Sequence, residues 1–456
     1  MSTDRKAPDM TRGVIWKQLL RFFFPIWYGM VFQTLYSTAD ALIVGQLVGS
    51  SALAAVGNTG SVINIFVGLY SGLASGVTVL CAQYKGSGEE SRVRVCTGTG
   101  LTLSVILGLI LGALAWVTAP LLTGSIQTPA DIMQDSVDYL RLYALGMVAM
   151  SVYNIGAGIL RGIGDARHPV IALAISGVVN IVLDLLLVTV IPMGVKGVAL
   201  ATSISQFISA GLVLWYLRRD DTVRLAGFRR DDFRIQRKMA RRLAGISVPS
   251  AVLSSTYNVT NLLIQAGVNS FGTAAVAAWA AYGRADVLFW LTLNAMSSAL
   301  TTFAGQNYGA GNDRRMRQGL HTALWMMSAI TAVSSVLVCV FCRPLFGIFT
   351  GDAAALDIGE RMVLSLTPFY ILFTVEELYS ATVRASGDSV WPMILNLATI
   401  CITRVLWMLV LLPRWHTVEF LCYSYPASWF LGAAAFLIYY RWGGWEKRGL
   451  RHSDPG

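Results

Sequence analysis

Twelve stretches of this chain are dominated by apolar residues, at roughly 14–45, 52–82, 94–118, 133–157, 169–191, 197–217, 243–268, 274–304, 319–342, 358–382, 391–412 and 419–440. Each is about 20 residues or longer, enough for a helix to cross a hydrocarbon core of about 30 Å. Inside that core only a helix or a closed barrel satisfies its own backbone hydrogen bonds. Runs of this length point to one class, an all-α integral membrane protein with twelve transmembrane helices. Composition agrees: 55% of the 456 residues are hydrophobic and 13% are charged, against about 25% charged in soluble domains. Pro25, Pro249 and Pro368 fall inside the runs, where proline kinks a helix unless neighbours satisfy the freed carbonyl.

The basic residues set the orientation. With the N-terminus inside, the inner regions carry 28 Lys and Arg, while the outer connections carry only Lys196, Arg343 and Arg414. By the positive-inside rule both termini are expected in the cytoplasm, in a multi-pass protein of the plasma (inner) membrane. This bias accounts for the net charge of +10, so no nucleic-acid partner is implied. Arg5, Lys6, Arg12 and Lys17, followed by an apolar run and Ala39-Asp40-Ala41, imitate a signal peptide. The run continues through Val48 with no soluble domain behind it, so an uncleaved first helix is expected. The six cysteines nearly all lie in apolar segments, and the CxxC of Cys339 and Cys342 has no histidine beside it. They are expected to be small buried apolar residues.

The chain repeats itself. A shift of 223 residues carries Gly49, Phe66, Gln83, Gly86, Gly88, Arg92 and Arg94 onto Gly272, Phe289, Gln306, Gly309, Gly311, Arg315 and Arg317. The same shift carries Arg161, Gly164, Asp165 and Pro169 onto Arg384, Gly387, Asp388 and Pro392. Six spans per half is an even number, so the halves are parallel repeats about an axis along the membrane normal. The expected division is an N-terminal six-helix lobe at 1–217, a basic cytoplasmic linker at 218–242 and a C-terminal six-helix lobe at 243–456. The linker reads as a connector lying on anionic headgroups. In the repeated loops, Arg161 with Asp165 and Arg384 with Asp388 read either as latches or as plain turns.

Two six-helix bundles of this kind suit a transporter that opens a cavity to alternate sides. HExxH, Walker A and GxSxG motifs are missing and no histidine sits mid-span, so the chain is not expected to be an enzyme. Asp40 and Asp184 are the informative charges, because the shift places them on Leu263 and Trp407. A carboxylate in hydrocarbon costs about 3 kcal/mol or more, so a functional role is the default reading. Asn180 and Asp184 are four residues apart and share a helix face. Two carboxylates in one low-dielectric pocket can exchange a proton or hold Na⁺ as hard oxygen ligands, with Asn180 among the metal ligands. Tyr139, Asn154 and Thr202 on neighbouring spans are candidates for the remaining shell. The plainer reading is hydrogen bonding between packed helices. In the second half, Asp286 or Glu376 is expected to line a substrate cavity, with Asn154 contributing from the first; packing by internal ion pairs is the plain alternative.

Several motifs together resemble the multidrug and toxic compound extrusion (MATE) family over essentially the whole length. They are Asp40 with GQLVGSSALAAVG (45–57), CAQYKGSG (81–88) with its repeat AGQNYGAG (304–311), GILRGIGDARHP (158–169), GVVNIVLD (177–184) and GVKGVALAT (194–202). The resemblance implies a twelve-helix, V-shaped pair of lobes and a multidrug efflux transporter, of the kind associated with antibiotic resistance, exchanging cationic or amphipathic small molecules for H⁺ or Na⁺. It implies a cation-coupling site of Asp40, Tyr139, Asn180, Asp184 and Thr202, and a hinge at Pro25. Another branch of the family uses carboxylates in the C-terminal lobe, but the matching span-seven position here falls in the neutral SSTYNVTN (254–261). Beyond the coupling ion no cofactor is expected, and the partners are small molecules and the lipid bilayer, with the chain acting as a monomer. The alternative within the superfamily is a flippase for lipid-linked saccharides, which would favour a cationic cavity and arginines in span one in place of Asp40. A membrane-embedded transferase would need an acid/base set that is missing here.

Overall fold

The computed structural model describes residues 9–223 and 233–448. Residues 1–8, residues 224–232 of the linker and residues 449–456 lie outside the described residues, together with Arg5, Lys6 and Arg451 of the charge pattern. Among the described residues there are helices and no strand. The α-helices are α1 (Ile15–Ile43), α2 (Ser50–Gly86), α3 (Glu90–Ser125), α4 (Met133–Ile163), α5 (Arg167–Leu185), α6 (Val195–Arg219), α7 (Arg237–Asn269), α8 (Thr273–Gly309) and α9 (Asp313–Val340). They continue with α10 (Cys342–Gly347), α11 (Ala353–Leu366), α12 (Tyr370–Ala385), α13 (Val390–Asn396), α14 (Thr403–Leu406), α15 (Val418–Cys422), α16 (Ser424–Trp442) and α17 (Trp445–Arg448).

Ten of the helical rods are long and apolar enough to cross a membrane. α1 and α7, of 29 and 33 residues, complete twelve transmembrane helices. These two occupy matching places in the two halves, and both carry polar residues in their span. α1 carries Gln33, Thr34, Ser37, Thr38 and Asp40, and α7 carries Ser254, Ser255, Thr256, Asn261 and Gln265. Polar residues at membrane depth turn toward protein or a cavity, so these stripes mark where sites are built. The internal repeat extends to the backbone. Gly49 and Gly272 (φ 122° and 88°), Gly88 and Gly311 (77° and 74°), and Gly164 and Gly387 (103° and 97°) form three pairs at the same shift. All take positive φ, which only glycine adopts freely, so the turns and not just the letters are repeated.

Irregular turns divide several rods. Pro368 sits in a 3₁₀ turn, Thr367–Phe369, that splits the tenth span into α11 and α12. Pro25 and Pro249 lie inside α1 and α7, as expected, and Pro120 inside α3. Wide π-helical turns follow α1 (Val44–Val48) and α5 (Leu186–Val190) and flank α14 (Leu397–Ile402 and Trp407–Leu411). Nothing in the sequence reading anticipated them.

By contact density the chain forms two units. One runs Phe24–Ala251, and the other combines Met10–Phe23 with Val252 onward. The limits therefore differ from the expected 1–217 and 243–456, because each boundary falls inside a long helix. Met10 explains the first case. Its amide donates to Gln306 (3.2 Å), its carbonyl accepts from Asn307 (3.1 Å), and Gln18 accepts from Arg315 (2.9 Å). The start of α7 behaves likewise in the other unit, where Arg242 donates to the Tyr84 hydroxyl (3.0 Å) and Ser247 to the Leu73 carbonyl (3.1 Å).

In the first unit, small residues let backbones approach, the usual device where lipid gives helices no hydrophobic push together. A Cβ on Gly108 of α3 would meet Val148 Cα at 2.7 Å, and one on Gly112 would meet the Ala144 carbonyl at 3.0 Å. Gly158 and Gly162 of α4 abut the Ala74 and Thr78 carbonyls of α2 in the same way, at 2.9 and 2.7 Å. An apolar core of Val44, Phe66, Tyr70, Leu140, Tyr143, Met147, Val188 and Val198 fills the space between these helices. In the second unit, Gly319 of α9 seats against Phe303 of α8, and Gly432 of α16 against Glu376 of α12. The repeated loops prove to be turns. Asp165 Oδ1 accepts the Arg167 and His168 amides (3.0 and 3.2 Å) at the start of α5, and Asp388 accepts the Trp391 amide (3.5 Å) at the start of α13 and, from α16, the Tyr439 hydroxyl (2.5 Å).

Candidate functional site

α1 and α5 run side by side in the same direction. A Cβ on Gly29 would meet Val170 at 2.7 Å, and one on Gly177 would meet Phe32 at 2.9 Å and Tyr36 at 3.4 Å. Continuing that register up both helices brings Asp40 level with Asp184, and their carboxyl groups face each other. Asp184 is fully buried and Asn180, one turn below it, is 2% exposed. Each aspartate sits just ahead of a π-helical turn, so each rod changes its winding directly above the pair. Such turns recur at functional sites, where they re-aim side chains and free carbonyls from the regular ladder.

The walls are apolar, with Val44, Tyr139, Val188, Val195 and Val198 all in one core cluster. Asp40 Oδ1, both Asp184 carboxyl oxygens and Asn180 Nδ2 have no hydrogen-bond partner. Buried polar atoms are nearly always satisfied, so four orphans in one place ask for a ligand. Tyr139 of α4 faces both aspartates and Thr202 of α6, whose hydroxyl donates to the Val198 carbonyl at 3.0 Å. Tyr36, one turn before Asp40, also borders the pair. The structure thus assembles Asp40, Asp184, Asn180, Tyr139 and Thr202 and adds Tyr36. Asn154 does not join them. It lies about 22 Å along α4 from Tyr139 at 1.5 Å per residue, and its amide donates to the Met150 carbonyl of its own helix (2.8 Å).

A cavity of about 580 Å³ lies within the second unit, a size that suits a drug-sized molecule. Asp286 of α8 lines it, and its carboxylate is held by the Tyr370 hydroxyl at 2.5 Å and by the Trp290 indole N–H. Tyr282 bonds in turn to Tyr370, and Phe289 stacks on Tyr370 at 4.1 Å between centroids. Aromatic rings of Trp279, Tyr425 and Trp429 form much of the remaining wall. The paired glutamates divide differently from expectation. Glu377 lines the cavity, accepting from Arg384 (2.7 Å) and Ser297 (2.6 Å). Glu376 does not line it, because that side of α12 is pressed against Gly432; Glu376 is 1% exposed and both carboxyl oxygens lack partners. Tyr425 and Trp429 escaped the sequence reading, since aromatics four residues apart in an apolar span usually face lipid or core.

Twelve transmembrane helices in two repeated halves, with unsatisfied carboxylates deep inside one and a drug-sized cavity inside the other, define a polytopic membrane transporter. The MatE family model matches residues 25–186 and 249–409. That is well over half of the chain, which belongs to this family. The probable multidrug resistance protein YoeA of Bacillus subtilis (strain 168) is 26% identical over 447 residues, covering 95% of each chain. The FAD transporter of Shewanella oneidensis is 28% identical over 392 residues, covering 84% of this chain and 85% of its own. A MOP superfamily transporter structure from Pyrococcus furiosus superposes with a TM-score of 0.88 at 22% identity, covering 97% of this chain and 100% of that one.

Proposed function

We propose that the protein is a secondary active exporter that exchanges cationic or amphipathic small molecules for H⁺ or Na⁺ by alternating access, with both termini in the cytoplasm. The observation that carries this reading is the facing pair Asp40 and Asp184, with unpartnered oxygens in apolar surroundings. Two facing carboxyl groups are completed by one cation, either a proton shared between them or a Na⁺ held by both. Asn180, Tyr139 and Thr202 supply the neighbouring polar atoms. The curated names of YoeA and of a second Bacillus subtilis relative, both probable multidrug resistance proteins, support export of drug-like molecules.

In this reading, filling the pair removes the repulsion that keeps α1 and α5 apart above Gly177, and α1 bends where Pro25 leaves the Arg21 carbonyl without its helical donor. Asp286 supplies a fixed negative charge to substrates in the second unit.

The test is dye export from proteoliposomes, with a proton or a sodium gradient imposed separately, for the wild type and Asp40→Asn. One gradient should drive export and the substitution should abolish it. Undiminished export by Asp40→Asn would move coupling away from the pair and reduce Asp40 to a packing residue.

A further inference from the structure

The second unit's cavity holds a charge that a receptor for simple cations does not need. Arg404 lies on α14, between the π-helical turns Leu397–Ile402 and Trp407–Leu411. It is 5% exposed and lines the cavity. Its Nε donates to the Ser428 hydroxyl at 3.0 Å, and that hydroxyl donates in turn to the Tyr425 carbonyl at 2.8 Å. The guanidinium carbon stands 4.0 Å from the centre of the Tyr425 ring and 6.0 Å from that of Trp429.

These contacts fix the plane of the guanidinium but leave its fork open. Among the described residues no carboxylate is at salt-bridge distance from Arg404, and neither Nη atom has an acceptor. Glu377 is taken by Arg384 and Ser297, and Glu376, near enough to feel the charge, makes no hydrogen bond to it. A positive charge at membrane depth is costly, and in most spans it is paired or carries out a function. The planar fork matches a carboxylate or phosphate with two parallel hydrogen bonds. On the same cavity wall Asp286 presents the opposite charge, held in place by Tyr370 and Trp290. Tyr425 lies within electrostatic reach of both Arg404 and Asp286. A cation, an anion and stacked rings therefore line one space.

We propose that Arg404 makes this cavity a site for aromatic zwitterions, planar compounds whose carboxylate or phosphate takes the open fork of Arg404 while a basic nitrogen meets Asp286. The proposal deepens the export reading and rests on it only in taking this cavity as the substrate site.

Binding, not transport, tests it. Full-length protein in lipid nanodiscs is titrated with rhodamine 19 and with its ethyl ester rhodamine 6G, which differ in whether the benzoate is free; empty nanodiscs are subtracted. Pyridoxamine 5′-phosphate against pyridoxamine, both of which carry the basic amine, forms the phosphate arm. The free acid, the phosphate or both should bind at least about tenfold more tightly than the counterpart lacking the anionic group, the scale of one charge-assisted hydrogen bond. Arg404→Gln should erase that preference, and Arg404→Lys should keep part of it, since charge remains but the fork is lost. If both arms show no preference in the wild type, or the preference survives Arg404→Gln, the proposal falls. Should Arg404→Gln fail to fold, the wild-type comparison and Arg404→Lys still decide. Preferred binding without export would sink the exporter and leave the site, whereas export without the preference would do the reverse.

Discussion

Asp184 shows how a residue can be kept at the expense of stability. It is fully buried, faces another carboxyl group, and neither of its oxygens meets a donor. Replacing it with asparagine leaves one ionisable carboxyl group in the pair and gives Asp40 an N–H to accept. Asp184→Asn should therefore raise thermal stability at pH 8, by roughly 1–3 kcal/mol on the scale of relieving an unsatisfied buried polar group, while abolishing gradient-driven export. Unfolding followed by intrinsic fluorescence, with dye export in parallel, checks both halves; a variant that is less stable would mean that the pair is a structural bond. The carboxylates were legible in the sequence because a charge in an apolar run stands out against its background. The aromatic wall of the cavity was not, since Tyr and Trp are as common on a lipid-facing side as on an inner one.

At the scale of the element, the pair exists because α1 and α5 touch through Gly29 and Gly177. A Cβ at Gly177 would press on the Phe32 ring at 2.9 Å, a contact that a small shift of the ring can absorb. Gly177→Ala should accordingly be tolerated. Gly177→Leu would force the helices apart, with an overpacking cost of about 1–3 kcal/mol, and should lower export more than dye binding. Equal loss of both would indicate general unfolding of the unit. Pro25 sets how α1 moves. Pro25→Ala restores an N–H for the Arg21 carbonyl, so the helix should stiffen, melt higher and export more slowly, with a gain of up to about 3 kcal/mol. Export at the full wild-type rate would make bending dispensable. Prolines announce such points in a sequence, and Pro368 did mark the break between α11 and α12. The π-helical turns beside Asp40, Asp184 and Arg404 had no such sign, because an extra residue in a turn changes no residue type and leaves the apolar run intact.

At the scale of the whole chain, the repeat was legible because one register aligns glycines whose φ values the backbone then repeats. The unit limits were not, because composition changes at the basic linker while packing changes inside α1 and α7. The facing Asp40–Asp184 pair lies in one unit and the Asp286 cavity in the other, which makes exchange a question of linkage between two separate sites. A protein that bound its substrate equally well with the ion site empty or filled would dissipate a gradient without moving anything against it. Exchange requires that filling the Asp40–Asp184 pair weaken substrate binding, by a coupling factor of about 5–150, and that substrate weaken ion binding by the same factor. Dye affinity of the wild type should then fall by about that factor as the coupling cation, H⁺ or Na⁺, is raised. Asp40→Asn resembles the filled state because one charge is already gone. Its dye affinity should be low and flat across both titrations. Equilibrium dye binding against pH and against sodium, for both proteins, reads this directly. A flat wild-type curve in both titrations would mean that the pair does not speak to the cavity, and the exchange reading would fail even if dye still crosses the membrane.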